Sequence, residues 1–359
     1  MKLAAVQGWW STRTRQTGLT IVELLLSITL GMLVVLAATA LFVASKSTYG
    51  AVDDGDNLEV TGRFALEMIA RSVRQAAYVN WDNEDAPINV ADRDVANIVG
   101  LDASSLGATS AGLESANSKA VNNSDVLGLR FFGVLDGQSK TKDTSKTNDP
   151  SITNDTSDGM QSMLHCGGDT VPQPDPSASP DEQRAWSIFY IANSSWNEPE
   201  LRCKYRVFDK NNNASWNSDA LLTGVESLQF LYGVDTDTLS DGIANQYMNA
   251  DAVNALDKAL TLVGATAEEK QADFNRQTFW KKIVAIKVAV LVRGTNANRT
   301  DALNKIFDLF GADYSAAKAQ VDLGSRIDEA TLPKASQNRQ RKVFNATILL
   351  RNPSKGSIP

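Results

Sequence analysis

The sequence predicts an α+β protein in which one long amino-terminal helix, half membrane-spanning and half amphipathic, packs on an antiparallel sheet. Three features predict it: an uncharged apolar run over residues 24–44, an amphipathic pattern over residues 46–80, and alternating apolar segments in the rest of the chain. With 359 residues, of which 43% are apolar, the chain can bury one large core or two modest cores.

The apolar run from Leu24 to Ala44 contains no charged side chain. As a helix it would extend about 32 Å, which is enough to cross a hydrocarbon core of about 30 Å. A secretory signal has a shorter apolar stretch followed by a small-residue cleavage site, whereas Lys46 follows this run without such a site. The run therefore indicates a membrane-spanning helix over residues 19–45.

A single carboxylate, Glu23, lies at the amino-terminal edge of this helix. At the headgroup level it would cost little and have no role, and for an ordinary signal anchor that is the simpler interpretation. The preceding residues favour another one. The stretch Gly18–Glu23, GLTIVE, resembles the processing site of type IV prepilins and pseudopilins. The resemblance implies that residues 1–18, with Lys2, Arg13, Arg15 and no acidic residue, are a leader.

This resemblance implies that a prepilin peptidase on the cytoplasmic face cuts after Gly18 and methylates the new amine of Leu19, a position where phenylalanine is commoner in the family. Glycine would let an extended backbone enter the peptidase cleft. In stacked helices the Leu19 amine of one subunit would meet Glu23 of its neighbour, so that each charge neutralises the other in a low-dielectric bundle. Such a pair would fix the register between neighbouring helices more than it would add to the stability of the bundle.

After the membrane segment, residues 46–80 predict an amphipathic helix whose second half lies across the sheet. Gly50, Gly55 and Gly62 lower the helix propensity, so a soft or bent zone is expected near residues 50–57. The extracytoplasmic globular domain is expected over residues 81–359. Its predicted strands lie at 126–134, 186–191, 201–208, 227–232, 283–292 and 343–350. Helices are predicted at about 250–262, 267–282 and 300–321, and polar loops at 101–125, 136–162 and 167–182. The middle helix begins with the capping-box spacing of Thr266 and Glu269.

The chain has two cysteines, Cys166 and Cys203. Two thiols in an exported domain most simply form one disulfide, although two unrelated buried thiols would give the same count. If they pair, the closed loop of about 36 residues would contribute roughly 4 kcal/mol in the chain-entropy description.

Several later segments resemble the PilW-type minor pilins: GRFAL at 62–66, LRC at 201–203, GVESLQFLYGVD at 224–235, residues 284–293, and RKVFNATILLRN at 341–352. Together with the amino-terminal helix the resemblance spans most of the chain, except residues 81–185 and 294–335. It implies a type IV pilus subunit that joins other minor pilins in a complex that initiates the fibre and sits at its tip.

We expect no enzymatic activity and no cofactor. His165 is the only histidine, so a Ser-His-Asp or Cys-His apparatus would have to use it, and it lies beside Cys166. One histidine and two cysteines do not make a simple zinc site, and the sequence has no phosphate-binding glycine loop. A net charge of −7 argues against nucleic acid as a partner.

The run at 235–242, DTDTLSDG, is the one candidate cation site in the sequence. Asp235, Asp237 and Asp241 could offer carboxylate oxygens to Ca²⁺ in a turn. The run lacks a bidentate glutamate, and Leu239 stands where a ligand would help. A solvated acidic turn is therefore the favoured interpretation.

The partners implied by the resemblance are other minor pilins, the major pilin, the prepilin peptidase, the inner-membrane assembly machinery and, before assembly, membrane lipid. The implied location is the bacterial inner membrane, with a periplasmic domain, and later the pilus tip; adhesion and motility are the implied processes. Two alternatives stay open. One is a minor pseudopilin of a type II secretion system, which has the same amino terminus, and the other is an uncleaved, signal-anchored adhesin or sensor.

Overall fold

The structure, a computed structural model, describes residues 18, 20–76, 94–113, 116–117, 119–133, 163–171, 183–208, 214–238, 241–297, 299 and 304–350. The chain forms two units, Met1–Val52 and Asp53–Pro359, and each is described by itself. The boundary between them falls within the zone 50–57, where glycines weaken the helix propensity, although the helix α1, Ile21–Gln75, is assigned without interruption through it.

Four helices and eleven strands make up the described part of the chain. The helices are α1, Ile21–Gln75; α2, Ala250–Lys258; α3, Ala267–Gln277; and α4, Ala312–Lys318. The strands are β1, Ile98–Leu101; β2, Val126–Phe131; β3, Ala185–Asn193; β4, Pro199–Phe208; β5, Ala214–Thr223; β6, Val225–Val234; β7, Gln246–Met248; β8, Ile283–Arg293; β9, Ile306–Asp308; β10, Arg326–Asp328; and β11, Arg341–Leu349.

The strands form three antiparallel sheets. Five strands follow in the order β1-β2-β3-β4-β5, four in the order β11-β8-β6-β7, and β10 pairs with β9. In the four-stranded sheet Phe230 of β6 lies opposite Val288 of β8, and Val290 of β8 lies opposite Phe344 of β11. All ten residues of β6 are buried, as expected for a central strand covered on both faces.

The main core brings together the second half of α1 and the inner faces of the five-stranded and four-stranded sheets. Ala65, Ile69 and Val73 of α1 are fully buried, and their spacing of four residues places them on one face of the helix. Gly62, one turn earlier, lets α1 approach β11 closely. A Cβ at this position would lie 2.3 Å from Cδ2 of Phe344, so a larger residue cannot fit without a shift.

Asp54 fastens α1 to the segment that follows β8. Its Oδ1 accepts hydrogen bonds from the backbone N–H of Thr295 at 3.2 Å and of Asn296 at 3.3 Å. The side chains of the same two residues donate to it as well, at 3.1 and 2.9 Å. Asp54 is fully buried, and these donors satisfy its Oδ1, whereas its Oδ2 has no hydrogen-bond partner among the described residues.

A buried ion-pair network lies at the start of β11. Arg341 Nε is 2.6 Å from Glu226 Oε2 and Arg341 Nη1 is 3.3 Å from Glu329 Oε1. Arg299 approaches the same Glu329 oxygen at 2.6 Å. The side chains of Arg341 and both glutamates are almost completely buried. Arg293 Nη1 also lies 3.6 Å from Glu226 Oε1. Three arginines therefore accompany two buried carboxylates, and removing the carboxylate of Glu226 or Glu329 would leave interior arginines without a partner.

The predicted disulfide is present: Cys166 and Cys203 are bonded, with their Cα atoms 5.8 Å apart. Cys166 lies in a short turn closed by the bridge between Leu164 and Thr170, while Cys203 is buried in β4. The backbone N–H of Cys166 also donates to Ser187 Oγ of β3 at 2.9 Å. The bond thus holds the turn at residues 163–171 against the five-stranded sheet.

The predicted fold class is confirmed, and each of the six predicted strands is present. The predicted helices at 250–262 and 267–282 are also present, the second with the capping box of Thr266 and Glu269. The helix predicted over 300–321 is largely wrong. Residues 306–308 form β9, and helix begins only at Ala312, after Gly311 with a φ of 97°, a conformation that interrupts a right-handed helix. Residues 136–162 lie outside the described part.

We expect Gly62→Ala to lower the free energy of unfolding of the globular unit by about 1–3 kcal/mol, because the new methyl group would meet the ring of Phe344. Thermal and denaturant unfolding of the full chain in detergent micelles, followed by near-ultraviolet circular dichroism, measures this change. Gly55→Ala in the same helix is the matched control. It has open space around the new Cβ and should gain about 0.5–1 kcal/mol. Equal gains in the two variants would contradict the close approach.

We expect Cys166→Ala to lower the free energy of unfolding by roughly 2–4 kcal/mol, since the unfolded chain is no longer constrained by the cross-link. The same unfolding measurement applies. A reductant should reduce the stability of the unsubstituted chain by a similar amount and leave the variant unchanged. A variant as stable as the parent would show that the packing around Cys203 alone holds the turn at residues 163–171 in place.

Candidate functional site

The predicted processing site lies immediately before α1. Gly18 is exposed, nothing approaches within 4 Å of the position that its Cβ would take, and its φ lies outside the positive range. The structure of the single chain therefore does not require glycine at this position. Leu19, the predicted new terminus, and residues 1–17 of the leader lie outside the described residues.

Glu23 forms a capping box with Thr20 at the start of α1. The backbone N–H and the hydroxyl of Thr20 both donate to Glu23 Oε2 at 3.1 Å, and the backbone N–H of Glu23 donates to Thr20 Oγ1 at 3.2 Å. This arrangement satisfies amide groups that have no partner within the helix. The T-x-x-E spacing is readable in the sequence, but Thr20 was not predicted as a capping residue. Glu23 thus has a local partner in the single chain.

The helix that follows exposes its apolar side chains on all sides. Every large hydrophobic residue from Ile21 to Val43 is between 52% and 79% exposed. The few hydroxyl groups in this segment bond back to the helix, for example Ser27 Oγ to the carbonyl of Glu23 at 2.6 Å and Thr39 Oγ1 to that of Val35 at 3.0 Å. Polar groups are therefore satisfied within the segment, as a hydrocarbon environment requires.

By length and composition, α1 is the one helix in the described part of the chain that could cross a membrane. A signal sequence near an amino terminus would meet the same criteria. What distinguishes this helix is that it does not end with its apolar run. It continues to Gln75, and its residues Asp54, Leu58 and Ala65 are buried.

The acidic turn after β6 brings the three predicted residues together. One carboxylate oxygen from each of Asp235, Asp237 and Asp241 lies within 4.8 Å of the others. Asp235 is buried, and its oxygens accept from the N–H groups of Asp237 and Gly242 at 3.2 and 2.9 Å; the other two aspartates are exposed. Leu239 lies outside the described residues. Backbone amides thus already serve the one buried carboxylate, and the Ca²⁺ site stays a prediction.

His165 is buried next to the disulfide. Its ring stacks on Tyr205 with centroids 4.2 Å apart, and its Nδ1 accepts a hydrogen bond from the N–H of Gly167 at 3.0 Å. Burial lowers the pKa of His165, although the nearby carboxylates of Asp169 and Asp219 oppose that shift. These contacts give the histidine a packing role in the turn at residues 163–171.

A sequence model of the family described as type IV pilus-assembly protein W matches residues 188–352. The match includes four of the five segments on which the resemblance was based, and it leaves out residues 62–66 and the amino-terminal helix. No curated protein sequence matches the chain.

Among solved structures, a type IV-like pilin from Thermus thermophilus shares 11% sequence identity over 84% of this chain and 97% of its own, with a TM-score of 0.34. So low a score supports no inference. The resemblance to PilW-type proteins is nevertheless confirmed by the family match, which covers residues 188–352 and relates this part of the chain to type IV pilus assembly.

Proposed function

We propose that the chain is a minor pilin of a type IV pilus, which acts with other minor pilins in the complex that initiates the fibre and occupies its tip. The observation that carries the proposal is the amino-terminal part of α1. It follows the prepilin-like GLTIVE stretch and exposes more than half of each large hydrophobic side chain from Ile21 to Val43. The family match over residues 188–352 supports a pilus context for the rest of the chain.

The proposed mechanism begins in the inner membrane, where lipid covers this apolar segment and the globular domain is periplasmic. Prepilin peptidase removes residues 1–18, which carry three basic side chains and no acidic one. The assembly machinery then moves the helix from lipid into a bundle of pilin helices. Association there depends on close packing and polar pairing, because lipid is as apolar as the helices themselves.

Glu23 is the proposed partner of the amine of a neighbouring subunit. In the single chain its Oε2 accepts two hydrogen bonds from Thr20. A carboxylate can accept further hydrogen bonds, so an incoming amine could add to the capping box or displace part of it. One charge buried in a low-dielectric bundle without its partner is strongly unfavourable. The pair would therefore favour the helix register that brings both charges together.

We further propose that the chain has a structural role and no catalytic one. The packing of His165 against Tyr205 and the engagement of Cys166 in a disulfide both support this. A large globular unit also suits a capping position better than repeated positions along a thin fibre. The major pilin and the other minor pilins are the proposed partners, and the pilus tip is the proposed final location.

We expect Glu23→Ala to abolish or strongly reduce entry into the minor-pilin complex, because the amine of the neighbouring subunit would have no carboxylate partner. Co-purification of neighbouring pilins from membranes and counts of surface fibres measure the effect. The matched control is Asp56→Ala, which removes an exposed carboxylate from the same helix. This variant should assemble normally.

The stability of the globular unit should be the same in both variants, which separates an assembly defect from misfolding. Normal fibres and normal co-purification with Glu23→Ala would contradict the proposed pairing. Recovery of type II secretion pseudopilins, rather than pilins, as the co-purified neighbours would contradict the assignment to a pilus.

A further inference from the structure

One edge of the five-stranded sheet is long and open. The strand β5, Ala214–Thr223, has ten residues and is the last strand of this sheet, in which its neighbour is β4. Its other edge faces away from the sheet. An edge strand presents there a row of backbone N–H and C=O groups that have no partner within the sheet. These groups need hydrogen bonds from water or from another chain.

Little else in the described part of the chain bonds to the backbone of β5. Outside the pairing with β4, no backbone hydrogen bond among the described residues involves residues 214–223. One side chain does bond to this backbone, since Arg202 of β4 donates from Nη2 to the carbonyl of Ser218 at 2.8 Å. Most of the outer edge of β5 therefore has no partner among the described residues.

The side chains of β5 do little to keep another strand away. Its sequence, ASWNSDALLT, contains no proline, lysine or arginine, which are the residues that commonly protect sheet edges. Its one charged residue, Asp219, accepts a hydrogen bond from the Tyr205 hydroxyl at 2.6 Å. Trp216, Leu221 and Leu222 are only half-buried, so apolar surface lies beside the open backbone.

The other edge strands described in the globular unit are short or protected. β1 has four residues, and β7, β9 and β10 have three each. β11 is long, but it begins with Arg341 and Lys342 and contacts α1. Lys342 Nζ lies 2.5 Å from Glu59 Oε1, and the ring of Phe344 approaches Gly62 closely. Among the described strands, β5 is therefore the one long edge without such protection.

The inner side of β5 is firmly held. The strand pairs with β4 along its whole length. Ser218 adds side-chain bonds, because its Oγ lies 2.7 Å from the Tyr190 hydroxyl of β3 and accepts from Arg202 Nε at 3.1 Å. A strand that is already fixed in the extended conformation loses little further freedom when a second strand binds to it. The open edge is thus preorganised for binding.

We propose that the outer edge of β5 is a docking site for an extended β-strand of another pilin subunit, which adds to the five-stranded sheet as a sixth strand. In this mode of recognition the two backbones supply the affinity, and the side chains beside them supply the specificity. That the partner is a pilin rests on the proposed function, whereas the open edge is a feature of the fold itself.

A different subunit fits this edge better than a second copy of the chain. A β5–β5 pair would be a closed two-fold contact, whereas fibres grow through contacts between two different surfaces. The other long edge strand, β11, contacts α1, so a second copy could not offer it freely to β5. The side chains of the added strand would include an apolar one against Trp216 and a neutral or basic one opposite Asp219.

Hydrogen–deuterium exchange of the β5 backbone tests the proposal. Mass spectrometry follows the exchange in the isolated full chain in detergent and in the same chain recovered from membranes with its neighbouring pilins. Alternate N–H groups of an edge strand point outward, so about half of the β5 amides should exchange at least a hundredfold more slowly in the complex. β7, a short edge strand of the same unit, is the control and should not change.

Two proline variants test the same edge by substitution. Ser215→Pro and Ala220→Pro replace exposed residues in a stretch that pairs regularly with β4. Because they are five positions apart, their N–H groups point to opposite edges of β5. One variant should break the ladder with β4 and lower the melting temperature. The other should keep the melting temperature and co-purify at least about tenfold less of the neighbouring pilins, since proline is tolerated at an edge but donates no hydrogen bond.

Each other outcome overturns the proposal in a recognisable way. Equal exchange of β5 in the two samples, with pilins still present, would exclude strand addition and leave the proposed function intact. Protection of β5 already in the isolated chain would show that the chain covers its own edge, and protection in a sample that contains this chain alone would show self-pairing. If no pilin co-purifies, the proposed function fails, and the partner named here fails with it. Exchange in the unsubstituted chain decides the matter if both proline variants unfold.

Discussion

The apolar surface of α1 between Ile21 and Val43 has to be covered, because every large hydrophobic side chain in it is more than half exposed and water is an unfavourable neighbour for all of them. Its hydroxyl groups return to the helix backbone, so the segment needs no outside hydrogen-bond partner. Lipid can cover such a surface, and so can other apolar helices. In a subunit that moves from membrane to fibre, contacts with other helices replace contacts with lipid. Glu23 is the polar group that could favour one of these two environments over the other.

In the globular unit, the corresponding constraint is that each buried carboxylate needs hydrogen-bond donors or a cationic partner. Asp54 is held by four hydrogen bonds from Thr295 and Asn296. Glu226 and Glu329 are matched by arginines. One domain thus uses two means, neutral donors and arginines, to keep negative charge in its interior.

The sequence was informative where side-chain patterns determine structure. β6 and β8 are almost entirely buried, so their apolar runs predicted them correctly. The strand β5, Ala214–Thr223, is polar and mostly exposed, and it was not predicted. Backbone pairing with β4 defines it, and a side-chain pattern does not show such pairing. The capping box of Thr20 and Glu23 could have been found from its spacing. The contacts of Asp54 could not, because Thr295 and Asn296 share no motif with it and meet it only through the tertiary fold.

The central claim is that the apolar helix is freed of its leader and then built into a fibre. Mass spectrometry of the amino-terminal peptide of this chain, recovered from purified fibres, tests it most directly. The expected peptide begins at Leu19 with a methylated amine. A peptide from functional fibres that still begins at Met1 and includes Gly18 would contradict the account, since the amine proposed to meet Glu23 would not exist.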